Sequence, residues 1–320
     1  MTMLTRRAFA KELFGVAAGA ALIPRLAKAA AGSATDAQPH VNFPTEPRER
    51  MAVAAWPFRA YIIAPTNTDR DPKVPGMDLK DFAAYVVEKF NVHGIEPYNL
   101  HFASVKPEYL ASFRDALKKS GVRAVNIAVD QEKSFYDADR ATRGEAVAYA
   151  KQWVDVAVSI GSPNIRTNMA PAANTAPNLA NAVESLKEVA AYGAAKNVVV
   201  HMENDNLVSE DAFFVVKVIE GVGSPYLHAL PDFANSMMSG DADFDYRAMR
   251  AMFQHAYGIC HVKDGDFDEK GKNFPIDLAK TFGILKAGGY RGFCSVEYSG
   301  ASDPHGPTKK LIEESVKYLA

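Results

Sequence analysis

Past residue 50 the chain repeats one pattern: a short apolar run, a polar turn, then apolar residues at helical spacing. The apolar runs are Val53–Trp56, Gly94–Pro97, Ala124–Val129, Asn164–Asn168, Val198–Glu203, Leu227–Asp232, Gly258–Val262 and Gly292–Glu297. Runs of this length, apolar on both alternating faces and bounded by Gly, Pro or polar residues, predict parallel strands buried on both sides. Helices are predicted between them over Leu79–Phe90, Pro107–Ser120, Arg143–Ile160, Asn178–Lys196, Ser209–Glu220, Tyr246–His255, Asp277–Ala287 and Thr308–Leu319. Lys118-Lys119-Ser120-Gly121 puts cations in a last turn and glycine just beyond it; Ile160-Gly161 and Ala287-Gly288-Gly289 supply glycine likewise. Strand and helix alternate eight times, which predicts an α/β fold with a single (β/α)8 TIM barrel over residues 51–320. A doubly wound open sheet is the alternative, weakened because no glycine-rich phosphate fingerprint follows the first strand.

The N-terminus breaks the pattern. Thr5-Arg6-Arg7-Ala8-Phe9-Ala10-Lys11 precedes an apolar stretch from Leu13 to Ile23, and Ala27-Lys28-Ala29 offers small residues for cleavage. A basic start, a short apolar segment and an A-x-A site describe a secretory signal over residues 1–30, and the paired arginines resemble the twin-arginine signal. The expectation is export to the periplasm through the twin-arginine machinery. The apolar stretch is too short for a stable spanning helix, so no membrane anchor is expected. Residues 31–50, with Pro39, Pro44 and Pro47, read as a mobile linker. At 320 residues and 48% hydrophobic, the chain can bury a large core without staples, and a net charge of −2 gives nucleic acid nothing to bind. The two cysteines, Cys260 and Cys294, fall out of phase with the polar strand ends and read as small buried hydrophobes, although an exported protein could oxidise them.

In a barrel the chemistry sits where the strands end. Glu203, Asp232, His261 and Glu297 occupy equivalent places at the ends of four successive strands, 29, 29 and 36 residues apart. Positions so related converge above the barrel mouth. Three carboxylates brought together repel one another and are costly to bury unpaired. One divalent cation resolves that conflict; three oxygens and an imidazole suit Mn²⁺, Mg²⁺ or Co²⁺, with Zn²⁺ preferring more nitrogen or sulfur.

The segments His201-Met202-Glu203-Asn204, Asp232-Phe233-Ala234-Asn235, His261-Val262-Lys263-Asp264 and Ser295-Val296-Glu297 resemble the xylose-isomerase-like sugar phosphate isomerase/epimerase barrels, a family that includes ketose 3-epimerases and endonuclease IV. The resemblance runs from about Val53 to the C-terminus. It implies that Glu203, Asp232, His261 and Glu297 bind one divalent metal, Mn²⁺ foremost, and that Glu203 and Glu297 are the catalytic pair that exchanges protons with the substrate. By the same analogy the protein forms dimers or tetramers. Endonuclease IV carries a histidine where Asn235 stands, and Asp264-Gly265-Asp266 replaces its Asp-x-His pair, which argues against a three-metal nuclease.

Five more residues are candidates for holding the substrate. His101 follows the second strand, and Arg166 ends the fourth, where it could meet a substrate oxygen or a carboxylate. Trp56 follows the first strand and could stack on a sugar face. His201 is in phase with Glu203, and Lys263 with His261, where it could steady an enolate or pair with a carboxylate. These features predict a sugar isomerase or epimerase that moves a proton beside a carbonyl on an unphosphorylated carbohydrate. The alternatives are a lyase or hydratase that eliminates the aglycone of a 3-keto-glycoside, and a barrel that binds its ligand without turnover.

Overall fold

The computed structural model describes residues 38–320 except 174, 269, 301 and 302, so the signal segment lies outside the described residues. The strands are β1 (Met51–Ala54), β2 (Gly94–Glu96), β3 (Arg123–Ala124), β4 (Ile127–Val129), β5 (Asn164–Thr167), β6 (Val199–Glu203), β7 (Leu227–Leu230), β8 (Ile259–Val262), β9 (Gly265–Phe267), β10 (Asn273–Pro275) and β11 (Phe293–Val296). The helices are α1 (Leu79–Phe90), α2 (Pro107–Ser120), α3 (Arg140–Ile160), α4 (Leu179–Ala194), α5 (Ala212–Val222), α6 (Ala242–Phe253), α7 (Leu278–Ala287) and α8 (His305–Leu319).

All barrel pairings are parallel, in two arcs ordered β3-β2-β1-β11-β8 and β4-β5-β6-β7. Two seams close the circle. At the first, β3 and β4 are halves of one barrel strand, and Tyr98 bridges to Ala128. At the second, Asp232 bridges to His261, with His261 N donating to Pro231 O at 3.0 Å and Phe233 N to His261 O at 3.2 Å. The result is the (β/α)8 barrel that the alternation predicts. The antiparallel β9–β10 hairpin was not expected; it stands between β8 and α7.

Alternate residues of each strand face different cores. The outward ones pack under the helices in one large cluster that includes Cys260 and Cys294. These cysteines are register partners on β8 and β11, both buried, and their sulfurs stand 3.7 Å apart without a disulfide. The inward ones, Ala52, Val125, Leu230, Ile259 and Phe293, form a small separate core inside the barrel. Phe43 closes that core, its ring 5.6 Å from Phe293 and 5.3 Å from Tyr257, both edge-on. Asn197 clamps the backbone of His40 in both directions, and Tyr226 and Tyr257 donate to the carbonyls of Gln38 and Pro39. Residues 38–43, expected in a mobile linker, are therefore docked on the barrel, because an aromatic ring and two backbone clamps offset the entropy of ordering them.

Candidate metal centre

The inward positions change character toward the strand ends. On β6 the inward residues include His201 and then Glu203; on β8, Ile259 and then His261; on β11, Ser295 precedes Glu297 by two residues. All are buried. Ligand atoms of Glu203, Asp232, His261 and Glu297 lie within 4.8 Å of one another, so the four residues that share a phase in sequence meet in space. His261 Nδ1 faces the other three, at 2.9 Å from Glu203 Oε1, 3.5 Å from Asp232 Oδ2 and 3.7 Å from Glu297 Oε2.

Each carboxylate is aimed by neighbours. Asp232 Oδ1 accepts from the backbone N–H groups of Ala234 and Asn235, both at 2.9 Å, which turns Oδ2 toward the centre. Asn204 fixes the backbone of Asp232 from β6, accepting from its N–H at 2.8 Å and donating to its carbonyl at 3.2 Å. Glu203 lies between Arg166 Nε, 2.9 Å from its Oε2, and Asn235 Nδ2, which donates to Oε1 at 3.1 Å. Lys263 Nζ stands 3.1 Å from both Asp232 Oδ2 and Glu297 Oε2 and donates to Asn235 Oδ1 at 2.8 Å.

Buried charge is concentrated at this centre. Four buried carboxylates, Glu96, Glu203, Asp232 and Glu297, face two permanent buried cations, Arg166 and Lys263. Asp130 draws further on Arg166 through an ion pair of its own. Three carboxylates and one imidazole form an oxygen-rich donor set that could hold a divalent ion. The titration directions follow from this crowding of buried groups. Burial alone would lower His261, but Glu96, Glu203 and Glu297 outweigh it and push its pKa well above the ordinary value. Burial raises Glu203 against the pull of His261 and Arg166, whereas at Asp232 burial is overcome by Lys263 and His261 and the carboxyl falls below its usual range.

The other candidates separate into two groups. Arg166 is at the centre, but it meets the carboxylates Glu203 and Asp130, and Lys263 likewise meets carboxylates. Trp56 sits in a 3₁₀ turn straight after β1, half-buried, with the Arg59 guanidinium 4.0 Å over its ring. His101 is buried after β2 against Tyr98, with no hydrogen-bond partner at either ring nitrogen among the described residues. Burial and the Arg59 charge push His101 down to about 3, so it is neutral. His201 does not join the centre. Its Nε2 accepts from Gly258 N at 3.0 Å, its Nδ1 is 3.4 Å from Ile165 O, and burial lowers it to about 3. Two residues earlier on the strand means one layer deeper, so His201 packs the barrel interior between backbone groups instead of facing a substrate.

Three residues of the centre were not singled out in sequence: Glu96, Asn126 and Asn235 as an orienting group. Glu96 closes β2 and bonds His261 from the side opposite the carboxylate group, and Asn126 Nδ2 donates to it at 2.7 Å. The available signal was phase: Glu96 is register partner to Ala54 and ends its strand as Glu203 does.

Solved structures share this architecture. A xylose isomerase-like TIM barrel protein from Mycobacterium smegmatis, in complex with magnesium, superposes with a TM-score of 0.64 at 16% identity, covering 84% of this chain and 96% of that one. An L-ribulose 3-epimerase gives 0.65 at 18%, covering 84% and 95%. The 3-keto-D-glucoside 4-epimerase of E. coli gives 0.59 at 15%, covering 84% and 98%. At these identities the likeness establishes the fold. No curated protein matches the sequence significantly. Residues 84–320, the greater part of the chain, match the family described as Xylose isomerase-like TIM barrel, and the chain belongs to that family.

Proposed function

We propose that the protein is a divalent-metal-dependent isomerase or epimerase that moves a proton beside the carbonyl of an unphosphorylated sugar. The observation that carries this is the convergence of Glu203, Asp232, His261 and Glu297 within 4.8 Å. The similar structures include sugar epimerases, which supports the class of reaction. We take Mn²⁺ or Mg²⁺ as the ion. When bound, it supplies Lewis acidity to substrate oxygens and stabilises charge that develops on them.

The remaining work falls to side chains. One of Glu203 and Glu297 takes the proton from the carbon next to the carbonyl, and the C–H electron pair moves into an enediolate. The other returns a proton to the same carbon, giving the epimer, or to its neighbour, giving the isomer. Arg166 and Asn235 hold Glu203 in one orientation, and Lys263 holds Glu297. His101 and Trp56 are the groups we assign to the sugar. We further propose that the protein works after export through the twin-arginine route, where free sugars outnumber phosphosugars.

Elimination from a 3-keto-glycoside is the second reading. A recess of about 340 Å³ is lined by Asp264, Phe267, Tyr298 and Lys310, and two of these directly follow Lys263 and Glu297 in the chain. A 3-keto-D-glucoside 4-epimerase among the similar structures supports a keto-glycoside as the substrate in this reading.

The test combines metal content with proton exchange. The mature protein should bind about one divalent ion and, in D₂O, place carbon-bound deuterium into one member of a panel of ketoses, aldoses and 3-keto-glycosides. Glu203→Gln and Glu297→Gln should each slow that exchange at least ~100-fold. Failure to bind an ion, or unchanged exchange in both variants, refutes the proposal; the product distinguishes epimer from elimination.

A further inference from the structure

Glu96 is outside the quartet, yet it is as buried as the quartet's members. It approaches His261 at the other ring nitrogen: Nε2 lies 3.0 Å from both Oε1 and Oε2 of Glu96. Nδ1 meanwhile points at Glu203, Asp232 and Glu297. A neutral imidazole has one N–H and one lone pair, and whichever nitrogen keeps the hydrogen cannot bind an ion. We propose that Glu96 is the positioning residue of this centre: it accepts the Nε2–H of His261 and thereby holds the Nδ1 lone pair toward the divalent ion. This inference rests on the metal-dependent reading above.

Geometry separates this role from two others. Glu96 is not a further ligand, because the His261 ring stands between its carboxylate and the quartet. It is not a general counter-charge either, because its rotamer is held: Asn126, at the break between β3 and β4, donates from Nδ2 to Glu96 Oε1 at 2.7 Å. Asn126, Glu96 and His261 thus form a chain of directed hydrogen bonds that ends at Nε2 and leaves Nδ1 facing the quartet. Carboxylates bonded in this way to a ligating histidine characteristically contribute 10- to 100-fold to metal affinity.

The experiment measures the Mn²⁺ affinity of the intact protein by chelator competition, for the wild type and for Glu96→Gln, Glu96→Asp, Glu96→Ala and Asp232→Asn. It adds ¹⁵N NMR of His261 in the Mg²⁺-loaded state. We expect weakening of about 10-fold for Glu96→Gln, about 100-fold for Glu96→Ala, and partial recovery in Glu96→Asp. The wild type should carry the His261 proton on Nε2. Affinities of Glu96→Gln and Glu96→Asp within twofold of wild type, or a His261 proton on Nδ1, overturn the role of Glu96 while Asp232→Asn still loses the ion. A wild type that binds no Mn²⁺, or an Asp232→Asn that binds as tightly as wild type, overturns the metal reading itself, and the role of Glu96 with it. Matching melts of the ion-free proteins separate lost affinity from lost fold, and Glu96→Gln carries the test if Glu96→Ala does not fold.

Discussion

Asp245 is buried in the first turns of α6, and neither carboxyl oxygen has a hydrogen-bond partner among the described residues. Burial, aided by the charge of Asp232, pushes its pKa up to about 8. The folded chain therefore holds, up to about pH 8, a proton that the unfolded chain gives up around pH 4. Stability falls as pH rises through that window, since the folded state binds more protons. Asn has the same shape and no charge to bury. Asp245→Asn should leave the melting temperature at pH 4 nearly unchanged and raise it at pH 8, by at least ~1 kcal/mol or roughly 2–4 °C; equal melts at both pH values would contradict it. At this scale the sequence was informative where one phase repeated, as for Glu203, Asp232, His261 and Glu297. For Glu96 it offered only the phase of a strand end, not the partner His261, 165 residues away. A glutamate at a strand end carries no mark that tells which distant ring it will meet. His201 failed for a related reason: phase assigns a side, not a depth.

Elements were legible wherever local chemistry marks their ends. The predicted bounds of α1 and α2 match the observed ones, with Asp78 capping the first and Gly121, at φ 64°, ending the second. Those of α5 and α6 slipped by a few residues, because the capping aspartates, Asp211 and Asp241, stand apart from the apolar periodicity that was followed. The β9–β10 hairpin escaped because its strands are only three residues each and contain Gly265 and Pro275, which weaken a strand signal. One glycine shows tertiary contact reversing local propensity. In a helix, Gly→Ala ordinarily stabilises by ~0.5–1 kcal/mol. At Gly193 in α4, a Cβ would stand 2.4 Å from the carbonyl oxygen of Val198, backbone that leads directly into β6. Gly193→Ala should therefore destabilise, by ~1–3 kcal/mol in denaturant melts, and a stabilised variant would show that α4 can move off the strand that carries Glu203.

For the molecule as a whole, the barrel was readable because a strand and helix repeat eight times and each unit announces itself locally. Its plug was not. Phe43 is one aromatic among prolines, and only the closed barrel supplies the cavity that makes it core. How the circle closes was also invisible, since no local pattern reports which strand pair is thinly bonded. The structure shows two arcs of hydrogen-bonded strands, and along the β7–β8 seam the chain meets through two isolated bridges, Ala229 to Ala256 and Asp232 to His261. Glu203 and Asp232 lie on one side of that seam, His261 and Glu297 on the other. An ion held by all four would act as a rivet across this thinly sewn part of the hoop. Hydrogen exchange should then slow on adding Mn²⁺ most strongly in Leu227–Leu230 and Ile259–Val262, and far less at the β1–β2 pairing; uniform slowing would contradict this. The cation proposed for the chemistry would then also decide whether the barrel opens as two staves or holds as one ring.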